Sequence, residues 1–480
     1  MSLLGTMAAC KRYLVVEPVI FLYMTGILIS TPASQQLVLV KVCRELYGGG
    51  DICTNQTQEI TSQVQSKASL ISFLCATSMS LPSVLVSLFL GSWSDRTGRR
   101  LVMALPCIGA ALGALTLLIQ AMFMELPAML TIFSSACQGL LGGYVTMIQS
   151  VSSYIADETP GEDRTRRLGI MESMIFMGSM LAGVVEGTVV DHVSFEAVFS
   201  IQFSCDFLAL VWVFLLVKNT PSRTPQETQQ IMGQPAMPSR PLNLINLKAT
   251  WTALTRRREH RGRTRIAIIA GILMLINICN VGEMVIMLLF VQYPPLNFSN
   301  QFYGIFLSFK MGFAGLCLLL ILPQLLKHIQ DMLLGRAAVL FRIASQILTA
   351  FSNNAWMLFS AAALGGPSGS VTAVLRSHAS QIADSTEQGA IFSGLSSLEV
   401  LCVMIGAGIF NGLYPTTLPG FPGFCFIIMA GLGVIVLIML QWLDDIECRI
   451  PAQVRAVDQS QSTSESPEQD EVQVGQQDFS

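Results

Sequence analysis

The chain has 480 residues, of which 52% are hydrophobic and 12% are charged, and its mean hydropathy is +0.57. Soluble proteins carry about 25% charged residues, so this composition excludes a soluble globular enzyme, a disordered chain and a secreted disulfide scaffold. The net charge of −3 gives no indication of nucleic-acid binding. We therefore predict an all-α, polytopic membrane protein with little folded structure outside the lipid bilayer.

Twelve apolar segments follow one another along the chain, and a membrane-spanning helix needs roughly 20 such residues. They lie near residues 14–38, 66–92, 101–124, 128–156, 168–190, 195–217, 266–290, 301–325, 335–351, 355–380, 389–413 and 421–443. The first segment follows Lys11 and Arg12 without a cleavage pattern, so we expect it to be retained as a span and not removed as a signal peptide.

The longest connections divide the chain into two halves of six spans. We predict an N-terminal half at 1–217, a cytoplasmic linker loop at 218–265 and a C-terminal half at 266–443. The segment 444–480 is rich in Ser, Gln, Glu and Asp, a composition typical of a disordered cytoplasmic tail.

The distribution of basic residues predicts the orientation. With the N-terminus in the cytoplasm, 22 of the 28 Lys and Arg residues face the cytoplasm, as the positive-inside rule requires. Two glycosylation sequons, at Asn55 and Asn297, then fall in outer loops, where such sequons are used. The agreement between these two signals supports a glycosylated protein with both termini inside.

Ten of the twelve cysteines lie in or beside apolar segments, where they are expected to be small core residues. Only Cys43 and Cys53 lie in a polar loop, and they either pair or stay free. Nucleotide-binding loops and metal-ligand motifs are lacking in the sequence, so we predict no enzyme activity, no cofactor and no metal site.

A short polar loop after the second segment carries the most specific motif, Gly91-Ser-Trp-Ser-Asp95-Arg-Thr-Gly98-Arg99-Arg100. Gly98 permits a tight turn, and Asp95 can cap a helix and attract Arg99 or Arg100, which predicts a charge lock that gates one conformation. An acid, a glycine and an arginine recur about 236 residues later in the equivalent loop of the second half. This loop resembles the signature of the major facilitator superfamily, whose parallel six-helix repeats rock about a midplane site.

Ionisable residues inside the apolar segments are the next candidates, because a charge in hydrocarbon is costly and marks a functional site by default. The bases are Lys310, Arg342 and Arg376, and the acids are Glu17, Glu172, Glu186, Asp206, Glu283 and Glu399. The planar guanidinium of Arg376 suits a solute carboxylate, and a desolvated glutamate can carry a proton near neutral pH. Alternatively, these acids and bases pair and only hold helices together.

Five segments carry a more specific resemblance: Val16-Glu17-Pro18, the loop at Ser94–Arg100, Val374-Leu375-Arg376-Ser377, Ser385-Thr386-Glu387-Gln388-Gly389 and Ile409–Pro415. Together they resemble solute carrier family 46, the family of the proton-coupled folate transporter. The resemblance implies a major facilitator fold and proton symport of a bulky organic anion. That family also contains a lysosomal transporter of steroid conjugates and drug catabolites.

By position, the resemblance implies roles for several residues. Glu172, Asp157 and Glu399 are implied in proton coupling, and Arg376 in binding of substrate and proton. Asn280 stands where the folate transporter has a histidine, and we group it with Glu283 and Lys310 as candidate substrate-binding residues. The lost histidine weakens the case for folate itself more than the case for proton coupling.

We therefore predict a proton-coupled symporter of an organic anion, with a folate-like solute as first candidate, at the plasma membrane. Within the family, the alternative is a lysosomal exporter of steroid conjugates, drug catabolites or muropeptide-like fragments. An alternative of another class is a transporter-shaped receptor or scaffold without flux.

Overall fold

The computed structural model describes residues 15–48, 58–192, 194–219, 244–258, 261–384, 386–418 and 420–464. In these ranges the regular secondary structure is helical, and twelve helices are long and apolar enough to cross a membrane. In chain order these spans are Glu17–Tyr47, Gln63–Thr97, Arg99–Met122, Ala128–Glu158, Asp163–Val184, Phe195–Leu216, Gly262–Gln292, Gln301–Leu325, Asp331–Ala350, Ala355–Ile382, Gln388–Tyr414 and Phe424–Glu447. We number them spans 1 to 12. The all-α, twelve-span architecture predicted from the apolar segments is confirmed.

Spans 4 and 10, which occupy equivalent positions in the two halves, are both interrupted. Span 4 breaks where Gly142 and Gly143 adopt positive φ angles of 94° and 52°, a conformation that glycine reaches without steric cost. Span 10 contains a 3₁₀ turn at Gly366–Gly369. The shorter helices that follow, Gly143–Glu158 and Ser370–Ile382, carry several of the candidate residues. Broken helices at equivalent positions are a common way for transporters to place polar groups inside the bilayer.

Each half has its own apolar core. The N-terminal core includes Val19 and Tyr23 of span 1 and Met103 of span 3, and the C-terminal core includes Ile269 of span 7 and Leu440 of span 12. The halves pack on each other mainly through span 5 against span 8 and span 2 against span 11. Their polar contacts lie mostly at the end of the bundle where the basic loops meet, which we call the basic end.

Two of the predicted segments, the linker and the tail, contain helix that their composition did not indicate. The linker at 218–265 is not only a loop, because Leu244–Thr255 forms a helix and span 7 begins at Gly262. Residues 220–243 and 259–260 lie outside the described residues. The linker helix forms because its neighbours cover one of its faces: Asn246, Thr250 and Ala253, spaced three and four residues apart, are all buried.

The tail is also partly structured, since the helix of span 12 continues as Phe424–Ser464 instead of ending near residue 443. Its extra turns begin with two anchored acids. Asp444 forms an ion pair with Arg336 (2.8 Å), and Glu447 pairs with Arg265 (2.5 Å). These ion pairs anchor the first turn of the added helix, where composition alone predicted disorder. Residues 465–480 lie outside the described residues.

Candidate functional site

Asp95 of the loop motif forms hydrogen bonds with the opposite half of the molecule. Its two carboxylate oxygens accept hydrogen bonds from the backbone N–H groups of Gly389 (2.9 Å) and Ala390 (3.1 Å), at the start of span 11. A carboxylate is favoured there because the first N–H groups of a helix lack partners and carry partial positive charge. Asp95 therefore caps a helix of the opposite half, whereas the sequence suggested only a cap on some neighbouring helix.

Of the two arginines that end the motif, Arg99 belongs to this interface. It is fully buried, pairs with Asp95 (2.6 Å) and Asp157 (2.9 Å), and donates to the Ser94 hydroxyl. Asp157, for which the family resemblance implied a role in proton coupling, thus forms an ion pair with Arg99 from the end of span 4.

Arg100 points elsewhere. Its guanidinium donates to the Phe214 carbonyl and lies 5.2 Å from the Phe214 ring centre, so it holds span 3 to span 6 within one half. Gly98 begins span 3 with a φ of 99°, as a tight turn requires.

Further contacts close the basic end between spans 5 and 10. The Thr165 hydroxyl donates to the Asp331 carboxylate of span 9, and it lies 2.7 Å from the Ser377 hydroxyl, from which it can accept a second hydrogen bond. Arg164 donates to the Ser380 hydroxyl (2.7 Å). The two halves are therefore joined by hydrogen bonds at this end.

Arg376 lies at the centre of a buried ionic group that we call the inner cluster, made of Arg376, Glu172, Glu399 and Ser152. Its guanidinium bonds both oxygens of Glu399 (3.2 and 2.9 Å), lies 3.5 Å from a Glu172 oxygen and donates to Ser152 (3.3 Å). All three ionisable side chains are at most 12% exposed. Because Glu172 and Ser152 belong to the N-terminal half, the cluster bridges the two halves.

A second group, the outer cluster, lies within the C-terminal half and consists of Glu283, Lys310, Arg342 and Gln346. Lys310 of span 8 donates to one oxygen of Glu283, and Gln346 of span 9 donates to the other (2.9 Å). Arg342 approaches the same carboxylate at 4.0 Å. Asn280 lies one turn from Glu283 on span 7 and is exposed, so it is not part of the hydrogen-bonded group.

The structure brings together Arg376, Glu172 and Glu399, which the sequence placed on three different spans, and it separates them from Glu283 and Lys310. Sequence reasoning missed Ser152 and Gln346. A single polar residue in an apolar span has no signal that distinguishes a ligand from ordinary packing.

One of the two glycosylation candidates lies among the described residues. Asn297 is exposed in the loop between spans 7 and 8, with a φ of 48°. Asn55 lies outside the described residues, as does Cys53. Cys43 is disulfide-bonded.

Comparison with known proteins agrees with this architecture. The Major Facilitator Superfamily model matches residues 19–341, so the chain belongs to that superfamily of membrane transporters and is not an enzyme. The curated relatives that it matches include members of solute carrier family 46.

One relative is the lysosomal proton-coupled steroid conjugate and bile acid symporter SLC46A3 of Gallus gallus, 24% identical over 93% of this chain and 99% of the relative. Another is the proton-coupled folate transporter of Bos taurus, 26% identical over 89% of this chain and 92% of the relative. The crystal structure of the human organic anion transporter MFSD10 (TETRAN) superposes with a TM-score of 0.67 at 15% identity, covering 90% of this chain and 99% of that one, which shows the shared fold.

Proposed function

We propose that the protein is a proton-coupled symporter of organic anions in which the inner cluster exchanges a proton for the cargo. The observation that carries this proposal is that Arg376 lies between two glutamates, one from each half of the molecule. With both acids ionised the cluster carries a net negative charge and repels an anion. Protonation of Glu172 makes the cluster neutral and frees one side of the guanidinium for a carboxylate.

Transport then follows from the same charges. An arginine binds a carboxylate through two parallel hydrogen bonds, which gives the cargo a defined orientation. Because Glu172 and Arg376 belong to opposite halves, loading of proton and cargo changes a contact between the halves. The rocking of the halves therefore depends on whether the inner cluster holds proton and cargo. Asp157, through its ion pair with Arg99, connects the closed basic end to the same cycle.

Replacement of Glu172 by Gln tests the proposal. Glutamine imitates the protonated acid, so uptake should lose its dependence on external acid while the cargo still binds. Uptake of radiolabelled folic acid and estrone sulfate is measured at pH 5.5 and pH 7.4 for wild type and E172Q. The matched control is E125Q, because Glu125 is an exposed carboxylate in the loop between spans 3 and 4. A pH response in E172Q equal to that of wild type contradicts the proposal.

The cargo class is proposed from the relatives and the cluster together. A folate-like anion is the first candidate, with Asn280, Glu283 and Lys310 completing the substrate path. Steroid conjugates, drug catabolites and muropeptide-like fragments are the second, because the family contains a lysosomal symporter of steroid conjugates. An uptake panel in acid medium across these classes separates them.

We place the protein at the plasma membrane, with its basic end in the cytoplasm. Imaging of a tagged chain against surface and lysosomal markers tests this location. Reconstituted liposomes with an imposed acid gradient test flux itself, and failure to accumulate any anion in the panel would favour a receptor or scaffold without flux.

A further inference from the structure

The outer cluster carries more positive than negative charge. Lys310 and Arg342 face a single acid, Glu283, and the remaining polar partner, Gln346, is neutral. All three charged side chains are at most 22% exposed. An uncompensated charge inside the bilayer is unfavourable, and such groups mark the pathways of ions and substrates. Among the side chains that the structure describes, the group therefore lacks one negative charge.

Part of this cluster is also without hydrogen-bond partners. The Nη2 atom of Arg342 is buried and makes no hydrogen bond, because the Glu283 carboxylate oxygen beside it is 4.0 Å away. A buried guanidinium nitrogen without an acceptor is costly, and an anionic oxygen is the acceptor that suits it. The free hydrogen-bonding capacity thus coincides with the excess positive charge.

The two clusters lie at different depths. The Ser345 hydroxyl donates to the Ala361 carbonyl (2.7 Å), which places these two residues at the same level in spans 9 and 10. With a helical rise of about 1.5 Å per residue, Arg376 lies about 18 Å closer to the basic end than Arg342.

A second pair of helices gives the same separation. A Cβ atom on Gly406 would lie 3.0 Å from the Ile278 carbonyl oxygen, which sets the level between spans 11 and 7. Counted from there, Glu399 lies about 18 Å closer to the basic end than Glu283. The outer and inner clusters are therefore separate sites along the bundle.

We propose that Lys310 and Arg342 form an anion site of their own, which binds the carboxylate or sulfate group of the cargo before the inner cluster is protonated. The proposal rests on the proposed function, because it assumes an anionic cargo. With the halves joined at the basic end, a solute from the opposite side reaches the outer cluster first. The outer cluster attracts anions in every protonation state of the inner one, so anion capture and proton coupling are divided between the two sites.

The test measures affinity and pH response separately, with folic acid and estrone sulfate as probes. K310Q and R342Q should each raise the KM for uptake at least about tenfold, the loss expected for a charge-assisted hydrogen bond. The ratio of uptake at pH 5.5 to uptake at pH 7.4 should stay at the wild-type value. R336Q is the control, because Arg336 lies on the same span as Arg342 but pairs with Asp444 near the basic end.

Two further variants distinguish charge from structure. E283Q/K310Q restores one excess positive charge on Arg342, so its KM should lie closer to wild type than that of K310Q. E283Q alone raises the excess charge and should lower the KM, which keeps the proposal testable if R342Q does not fold.

Equal KM values for wild type, K310Q and R342Q overturn the proposal, and so does a KM for E283Q/K310Q no better than for K310Q. These outcomes leave the proposed function standing, since wild type still transports. Absence of any anion uptake by wild type removes the proposed function, and this inference with it.

Discussion

Arg376 is the residue on which the inner cluster depends, because it is the one cation between two buried acids. Removing one partner of a buried ion pair costs about 3–5 kcal/mol, since the other charge stays buried. We expect R376Q to lower the midpoint of thermal unfolding of the purified protein strongly. R376Q/E399Q should recover much of that loss without recovering uptake, because it removes one of the stranded acids.

The measurement is thermal unfolding in detergent, with uptake measured in parallel. E399Q provides the third corner of the double-mutant cycle and isolates the coupling between the two side chains. An additive cycle would show that Arg376 and Glu399 do not stabilise each other, in conflict with their hydrogen bonds of 3.2 and 2.9 Å.

For single residues, the sequence predicted which side chains belong to the candidate site better than it predicted which side chains they contact. Glu172, Arg376 and Glu399 stand out because charged residues are rare in apolar segments, but their meeting depends on the break in span 10 at Gly366–Gly369. Asp157 illustrates what the sequence cannot predict. Its position at the end of span 4 follows from the sequence, but its ion pair with Arg99 depends on how spans 3 and 4 pack.

Among the helices, the linker helix at Leu244–Thr255 joins the two halves at the basic end. Asn246 accepts from Ser92 of span 2 through its backbone carbonyl (2.8 Å), and Thr250 donates to the Leu88 carbonyl (2.9 Å). Just after the helix, Arg258 pairs with Glu387 (2.8 Å), next to the start of span 11. The helix thus holds span 2 and span 11 in their present arrangement.

We expect R258Q to weaken this hold, because Arg258 is only 8% exposed and its ion pair is little screened by water. R256Q is the matched control: Arg256 also pairs with Glu387, but it is 53% exposed, and exposed ion pairs contribute about 0–1 kcal/mol. The readout is labelling of a cysteine introduced at Ser397, which contacts Ser87 across the two halves (2.9 Å).

A thiol reagent applied from the basic side in inside-out vesicles should label the Ser397→Cys reporter faster in R258Q than in R256Q. The unsubstituted chain, with its native cysteines, provides the background. Equal labelling rates in the two variants would show that the linker helix does not restrain the closed end.

The elements divide into those with a sequence signal and those without. The twelve spans were readable because about 20 consecutive apolar residues need no partner to be recognised. The linker helix and the extended end of span 12 were not, because their helicity depends on contacts with spans that are far away in the sequence. Local composition carries no information about such partners.

On the scale of the whole molecule, the contacts between the halves are unevenly distributed along the bundle. At the basic end, Asp95, Thr165 and Arg164 join the halves by hydrogen bonds. Towards the opposite end of span 11, a Cβ atom on Gly408 or Gly412 would have no atom of another described helix within 4 Å. Gly408 and Gly412 are four residues apart, a spacing of small residues that is typical of helix-packing faces in membranes. The halves are therefore joined by hydrogen bonds at the basic end, whereas Gly408 and Gly412 of span 11 are exposed.

If the halves rock, fixing them at the basic end must stop transport. Thr165 and Ser377 belong to opposite halves, and their side-chain oxygens are 2.7 Å apart, so T165C/S377C places two sulfur atoms within bonding range. Oxidation of this variant should abolish uptake, and reduction should restore it.

T131C is the control, because Thr131 lies 3.6 Å from the native Cys75, and both belong to the N-terminal half. A crosslink there joins spans that move together and should leave uptake unchanged. Uptake that persists after complete crosslinking of T165C/S377C would contradict alternating access through this end, because a rigid connection between Thr165 and Ser377 leaves the halves no rotation about the inner cluster.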